Sequence, residues 1–194
     1  MHAVDRLVVW TCVGVGMLAG CALIERPGAR PAALTMQAPA PTTPPVAQRW
    51  IRIRKREHRL VLYEGNEVIR TYPVVFGKDP VWSKLYQGDH RTPEGEYHIS
   101  NKYYHPYWSR FLMLDYPTAY NEEIYAWSRE HGLLPVRGHA VPGIGGAVGI
   151  HGTEDEGLNR RGINWTEGCI SLLNDDVDEL YDLVPVGTKV VIER

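Results

Sequence analysis

Cysteine is scarce in this chain, with three in 194 residues. Cys12 and Cys21 lie near the N-terminus, and Cys169 is the one thiol in the long remainder of the sequence. A disulfide framework of the kind that stabilises small secreted domains is therefore excluded for that remainder. An isolated thiol there calls for a separate explanation.

Excess charge and metal-ligand motifs are also lacking. The formal net charge is −2, which gives no indication of nucleic-acid binding. The eight histidines form no HExxH motif and no cluster with aspartate at ligand spacing. A metal-dependent hydrolase is therefore rejected, and neither a metal site nor a cofactor is predicted.

Long apolar runs are lacking too, and the apolar residues 7–19 are too few for a confident transmembrane helix. They fit the core of a signal peptide, and the Leu18-Ala19-Gly20-Cys21 sequence that ends it resembles a bacterial lipobox. We therefore expect residues 1–20 to be a lipoprotein signal peptide and Cys21 to carry lipid, which would anchor the protein firmly to a membrane. The alternative is an ordinary signal peptide with a coincidental cysteine. By resemblance to enterobacterial sorting, Ala22 after the cysteine favours the outer membrane, facing the periplasm.

A tether and one domain are predicted after the signal peptide. Residues 21–48 are rich in proline and alanine, with six prolines after Cys21, and such a segment cannot bury a core. In polyproline geometry, at about 3.1 Å per residue, it would reach roughly 80 Å. Residues 49–194 have the length of one ordinary domain.

Patterning within this domain predicts mainly strands. Residues 59–63 and 67–75 flank a hairpin signal, and shorter strands are predicted at residues 96–100, 147–150 and 189–192. Helices are predicted at residues 121–131, with Asn121 as the cap, and after Asn174, where apolar residues recur at 177, 180, 181 and 184. The prediction is a β-rich domain with one or two helices.

Three further groups of residues have both a structural and a functional interpretation. The basic run between Arg52 and Arg59 fits the solvent face of an edge strand, or contact with anionic wall or lipid groups. Ten aromatics in residues 97–127 fit a core, with some left for a lid or a substrate platform. The acidic residues 154–156 fit a solvated loop, or a site that attracts an amine.

Cys169 has a potential partner eighteen residues earlier, because His151 lies in the sequence Gly149-Ile150-His151-Gly152. An imidazole can accept the thiol proton and produce the thiolate that attacks a carbonyl. Gly168 would allow the backbone to approach a substrate, and neighbouring N–H groups could stabilise an oxyanion. From spacing alone, a buried free cysteine without catalytic function is an equally acceptable interpretation.

The wider pattern resembles the L,D-transpeptidase (YkuD) family, whose signature is a histidine, a gap of about fifteen residues, and then Ser/Thr-x-Gly-Cys. Here His151 is followed, after fourteen residues, by Thr166-Glu167-Gly168-Cys169. Further matches include the segments that begin at Thr92 and Leu114 and the closing segment that begins at Val186, so the resemblance covers residues 50–193.

The resemblance implies a mixed β-sandwich, a Cys169 nucleophile and a His151 base. The substrate it implies is a peptidoglycan stem peptide, whose L-to-D bond at diaminopimelate is opened and whose acyl group passes to an amine, which makes a cross-link or attaches an envelope protein. Substrate-positioning or oxyanion roles are expected for residues close to the pair or flanked by glycine, namely Gly168, Thr166, Gly152, Ser171 and His139.

Two departures from the family pattern concern the outcome of the reaction. Many members have arginine where this chain has Ser171, and histidine or arginine where it has Glu167. Without a cation to hold a donor carboxylate, water could compete for the acyl-enzyme. Hydrolysis of the same type of bond is therefore the alternative, and a non-catalytic wall-binding lipoprotein is a second one.

Overall fold

The computed structural model describes residues 48–194, which form eight strands and three helices. The strands are β1 (Arg49–Arg54), β2 (Arg59–Glu64), β3 (Glu67–Pro73), β4 (Gly95–His105), β5 (Ser109–Leu114), β6 (Gly149–His151), β7 (Ile170–Ser171) and β8 (Lys189–Glu193). The helices are α1 (Ala119–Glu130), α2 (Glu156–Arg160) and α3 (Asn174–Leu183).

The eight strands form one curled sheet in the order β3-β2-β1-β8-β4-β5-β6-β7. The β1–β8 and β6–β7 pairs are parallel and the others antiparallel. Strand β4 turns the sheet, because its first residues pair with β8 and those from Ile99 onward pair with β5, with an irregularity between Ile99 and Asn101. The predicted mainly β, mixed-sheet fold is confirmed.

One apolar core lies inside the curl. Alternation along β1 and β8 points Ile51, Ile53, Val190 and Ile192 inward, and each is at most 2 % exposed. Helix α3 covers the core with Val177 and Leu180, and Val184 directly after the helix completes the predicted apolar stripe. Full burial of a Leu or Ile side chain is worth about 1.5–3 kcal/mol, so these elements are held in place mainly by apolar packing.

The predicted helix caps are wrong by three residues for α1 and by one residue for α3. Thr118 caps α1, and Asn121 lies one turn inside, where its Oδ1 accepts a hydrogen bond from the Thr118 N–H at 3.0 Å. Leu173 precedes α3, and the Asn174 side chain accepts from the Thr153 N–H at 2.8 Å instead of capping the helix. Asn174 thereby fixes the segment that follows His151.

The prediction of a solvated loop at residues 154–156 is confirmed for Glu154 and Asp155, which are exposed, and is wrong for Glu156, which begins a third helix. Helix α2 begins at Glu156, and the Asp155 carboxylate accepts from the Gly157 N–H at 2.8 Å as its cap. Five residues are too few to show an apolar period, which is why the sequence pattern missed the helix.

The basic run does not lie on an edge strand, because β1 is paired with β2 on one side and β8 on the other. Lys55 is 2 % exposed and donates to Glu94 at 2.8 Å. The core interpretation of the aromatic segment is also mostly wrong, since of its ten aromatics only Tyr97, Phe111 and Tyr116 are buried.

The predicted signal peptide, lipidated Cys21 and nearly all of the tether lie outside the described residues. Within residues 48–194, none of the helices combines the length and the apolar character needed to span a bilayer.

Candidate active site

Strands β6 and β7 bring His151 and Cys169 to one face of the sheet. His151 ends β6, Cys169 directly precedes β7, and the parallel register pairs Ile150 with Ile170 and His151 with Ser171. Because side chains two residues apart in an extended chain share a face, Cys169 lies on the side where His151 and Ser171 project.

A row of paired residues crosses four strands at His151. Tyr103 on β4 pairs with Phe111 on β5, Phe111 pairs with His151, and His151 pairs with Ser171. The rings stack, with centroids 5.2 Å apart for Tyr103 and Phe111 and 5.5 Å apart for Phe111 and His151. Trp108 stacks on the imidazole at 4.2 Å. The imidazole is therefore held in an aromatic cage that fixes its plane.

Hydrogen bonding defines the protonation of His151. Its Nδ1 lies 2.7 Å from the Gly152 carbonyl oxygen, which can only accept, so we assign the proton to Nδ1. Nε2 is then left with its lone pair, as a general base requires. Burial of the ring, which is 1 % exposed, lowers the pKa of His151 to about 4, and the neutral form dominates at neutral pH.

Gly152 is constrained on both sides of its backbone. A Cβ there would lie 2.2 Å from Asn174 Oδ1 and 2.6 Å from the Trp108 carbonyl oxygen, so only glycine fits. Its carbonyl accepts a second hydrogen bond, at 2.9 Å, from the hydroxyl of Ser171. Asn159 Nδ2 donates to that hydroxyl at 3.0 Å. This buried network holds the carbonyl that orients His151.

The turn before Cys169 is closed by Thr166. The Thr166 hydroxyl accepts from the Gly168 N–H at 3.1 Å and donates to the Cys169 carbonyl at 2.7 Å. Gly168 has a φ of +143°, and a Cβ on it would lie 2.6 Å from the Arg91 carbonyl oxygen. The sequence at this turn is therefore dictated by space and hydrogen bonding.

Cys169 lines a cavity of about 310 Å³. The other lining residues come mostly from two loops and are Lys84, Gln87, Gly88, Gly145, Gly146, Ala147, Val148, Glu167 and Gly168. Sγ lies 3.6 Å from the Ala147 carbonyl oxygen, a contact that suits a protonated thiol. Burial raises the pKa of Cys169 to about 11, although the Gly149 backbone and the charge of Lys84 oppose the rise.

At rest, the Cys169 thiol and the His151 imidazole are therefore both neutral. Both pKa shifts arise from burial, which disfavours the charged form of either group. Transfer of the proton from Sγ to Nε2 would need a bound substrate that alters the surroundings of both groups.

The other predicted site residues divide into two sets. Thr166, Gly168 and Gly152 build the backbone around the pair, and Ser171 is fully buried behind Gly152, where it acts on His151 through the carbonyl. His139 is exposed and is not among the residues that line the Cys169 cavity.

Sequence reasoning gave no role to Lys84 or Asn159 and did not place Tyr103 in the site. The Tyr103 pKa is raised by burial and by the nearby Cys169, so this ring belongs to the site. Its position depends on strand register, which alternation within a single strand does not define. Asn159 and Lys84 lie in a short helix and a loop, where no periodic signal exists.

Neither a larger hollow nor a metal site competes with this site. The hollows of about 560 Å³ beside Arg49 and Glu64 and of about 610 Å³ beside Arg52 and His98 have no cysteine in their linings. Within residues 48–194, no group of three or more His, Cys, Asp or Glu side chains is arranged to hold a metal ion.

Comparison with known proteins identifies the domain. The model of the L,D-transpeptidase catalytic domain, YkuD, matches residues 48–192. The chain belongs to the L,D-transpeptidase family. It is 30 % identical over 144 residues to YqjB of Bacillus subtilis (strain 168), which carries an L,D-transpeptidase name, and the match covers 74 % of this chain and 70 % of YqjB. YkuD of the same strain is 30 % identical over 141 residues, covering 70 % of this chain and 60 % of YkuD.

Solved structures show the same fold. The helical cell shape determining protein Pgp2 from Campylobacter jejuni has a TM-score of 0.54 at 21 % identity, covering 76 % of this chain and 48 % of that chain. Bd1075 of Bdellovibrio bacteriovorus has a TM-score of 0.52 at 22 % identity with the same two coverages. This L,D-transpeptidase domain thus spans about half the length of those two chains.

Proposed function

We propose that this L,D-transpeptidase-family chain is a peptidoglycan-modifying cysteine acyltransferase. It would open the L-to-D bond at diaminopimelate of a stem peptide and pass the acyl group to an amine. The observation that carries the proposal is the placement of Cys169 and His151 on one face of the sheet by adjacent strands, with Cys169 lining a cavity, within a domain of this family.

In the first half-reaction, His151 Nε2 accepts the proton of Cys169 Sγ, and the thiolate attacks the carbonyl carbon of the scissile amide. The tetrahedral intermediate collapses as the C–N bond breaks, and the imidazolium gives the proton to the leaving amine. A thioester on Cys169 and a free amine result.

In the second half-reaction, an acceptor amine attacks the thioester while Nε2 accepts its proton. The C–S bond breaks, a new amide forms, and the proton returns to the sulfur. The fixed Nδ1–Gly152 hydrogen bond keeps Nε2 available throughout, because the ring cannot flip without losing it.

Incubation of the purified protein with defined stem tetrapeptides, followed by mass spectrometry of the products, tests the proposal. Cross-linked dimers, or adducts with an amine or envelope protein, are the expected products. Cys169→Ala and His151→Ala should each abolish them, while His98→Ala, at an exposed histidine on the distant half of β4, should leave them unchanged. Equal product from Cys169→Ala would contradict the proposal.

Hydrolysis of the same bond is the second candidate, and Ser171 is the observation that favours it. Its short side chain is buried, so position 171 contributes no cation to the cavity that could hold a donor carboxylate while an amine enters. In the same incubation, shortened stem peptides would indicate hydrolysis, whereas dimers would indicate transfer.

We also propose that the protein is lipid-anchored through Cys21, on the outer membrane facing the periplasm. The lipobox-like sequence and the proline-rich tether support this location. Cys21→Ser should move the protein from the membrane fraction to the soluble fraction after signal cleavage. A variant that is cleaved and stays with the membrane would contradict the anchor.

A further inference from the structure

A buried ion pair forms part of the wall of the Cys169 cavity. The Lys84 ammonium binds Asp89 Oδ1 at 2.8 Å, and the two side chains are 5 % and 1 % exposed. Lys84 is the one cationic side chain among the described residues that line the cavity. Its Nζ lies 3.6 Å from the point where a Cβ on Gly168 would be, and so adjoins the turn that carries the nucleophile.

The ammonium has one hydrogen-bond donor to spare. Of its three N–H groups, one is used by Asp89 and a second by the Tyr86 carbonyl oxygen at 3.3 Å. A buried ammonium needs all its donors satisfied, so a ligand that brings an acceptor to the cavity side of Lys84 gains a charge-assisted hydrogen bond.

Asp89 fixes the ammonium in place. Its carboxylate also accepts the backbone N–H groups of Leu85, Tyr86 and Arg91, at 2.6, 3.1 and 3.1 Å. Burial alone would raise the pKa of Asp89, but these hydrogen bonds and Lys84 outweigh it and hold the pKa below its usual range. The ion pair is therefore a charged, preorganised unit.

The loop that carries this pair is bonded closely to the nucleophile turn. The Lys78 N–H donates to the Thr166 carbonyl oxygen at 3.1 Å, and a Cβ on Gly77 would lie 2.2 Å from the His90 carbonyl oxygen. Such close backbone contacts leave little freedom for Lys84 to move relative to Cys169.

We propose that Lys84 is a specificity-determining residue that receives a carboxylate of the donor peptide in the Cys169 cavity. The inference rests on the proposed function and names the feature of the donor that the site selects, a free carboxylate close to the scissile bond. The cation that position 171 lacks is then supplied by Lys84, which lines the cavity.

Other charges near the cavity do not replace Lys84. Glu167 stands at the mouth, where Lys78 holds its pKa below the usual range, and His90 contacts it as well. Lys78 is thus neutralised by Glu167 at 2.6 Å. Arg137 donates to the Gly88 carbonyl oxygen at 3.1 Å and lies 5.9 Å from the centre of the Tyr86 ring, but it does not line the cavity.

Alkylation of Cys169 by two reagents of similar size, one anionic and one neutral, tests the inference without any turnover. Iodoacetate carries a carboxylate and iodoacetamide does not, so the ratio of their rates at Cys169, followed by peptide mass spectrometry, measures preference for an anion. The test variant is Lys84→Met combined with Asp89→Asn, because this double change leaves no unpaired charge in the buried site.

In the double variant, the ratio of the iodoacetate rate to the iodoacetamide rate should fall about tenfold. This fall corresponds to a modest part of the Coulomb attraction expected between the Lys84 ammonium and a carboxylate in a partly buried site. Lys84→Arg should keep the ratio, and Lys189→Met, at a partly exposed lysine that pairs with Glu96 and does not line the cavity, should keep it too. A wild-type ratio in the double variant, or an equal fall in Lys189→Met, would overturn the assignment.

A stem-peptide arm tests the ligand itself. A tetrapeptide with a free C-terminal carboxylate should protect Cys169 from iodoacetamide at a concentration about tenfold lower than its C-terminal amide, and the double variant should lose that difference. Equal protection by the two peptides in the wild type would exclude recognition of that carboxylate. Because alkylation needs no catalysis, a failure of this arm is separate from a failure of the proposed reaction.

Discussion

His151 and Ser171 donate hydrogen bonds to the same acceptor, the carbonyl oxygen of Gly152, at 2.7 and 2.9 Å. Ser171 is fully buried and cannot touch a substrate, so its influence on the reaction passes through this oxygen. The arrangement makes Ser171 a positioning residue for the imidazole.

Ser171→Ala should lower kcat by about tenfold with little change in KM, because the loss of one buried hydrogen bond worth about 1 kcal/mol loosens the carbonyl that orients His151. Ser171→Thr, which keeps the hydroxyl, should recover most of the rate. Steady-state kinetics on a stem peptide measures both, with the exposed Ser100→Ala as control. An unchanged kcat in Ser171→Ala would contradict this role.

The buried imidazole should make the fold sensitive to acid. The pKa of His151 is lowered to about 4 in the fold, against about 6.5 in the unfolded chain. Above pH 6.5 His151 is neutral in both the folded and the unfolded chain, and the free energy of unfolding is at its full value. As the pH falls towards 4, the unfolded chain binds the proton more readily, and the free energy of unfolding decreases. Between pH 7.5 and 4.5 the free energy of unfolding should decrease by about 2.5 kcal/mol more in the wild type than in His151→Phe.

Urea unfolding at the two pH values measures this difference. Titration of carboxylates is common to both proteins and cancels in the comparison. Equal losses in the wild type and in His151→Phe would show that the imidazole is not held neutral by burial.

Cys169 should react as a thiol of high pKa when no substrate is bound. Because burial raises its pKa to about 11, the rate of alkylation by iodoacetamide should rise about tenfold per pH unit from pH 7 to 9.5 without levelling. The same thiol in urea, with a pKa near 8.5, should level within that range. A plateau near pH 7 in the folded protein would instead indicate a preformed thiolate–imidazolium pair.

Strands β2, β3, β4, β6 and β8, and the candidate pair His151 and Cys169, could be predicted from the sequence because their signals are local. Strands β1, β5 and β7 were not predicted. The hairpin between β2 and β3 is defined by Gly65 and Asn66, and the pair by glycines next to His151 and Cys169. Gly152 and Gly168 are required by close backbone contacts, which is why such local motifs mark the site.

The supporting residues could not be predicted, because their roles depend on contacts between distant segments. Tyr103 reaches the site only through the register of β4, β5 and β6. Lys55 looked like a surface charge, yet lies buried because Glu94 and two carbonyls from a distant loop satisfy its ammonium. Asn174 has the composition of a helix cap, but its side chain contacts Thr153.

The central claim is that Cys169 forms a thioester with a stem peptide, with His151 as the base. Intact-protein mass spectrometry, after brief incubation with a stem tetrapeptide and an acid quench, tests it most directly. We predict a mass increase equal to the peptide acyl group, localised to the peptide that contains Cys169 and absent in His151→Ala. A wild-type protein that turns over the peptide with no adduct at Cys169, or an adduct that forms equally well in His151→Ala, would contradict the account.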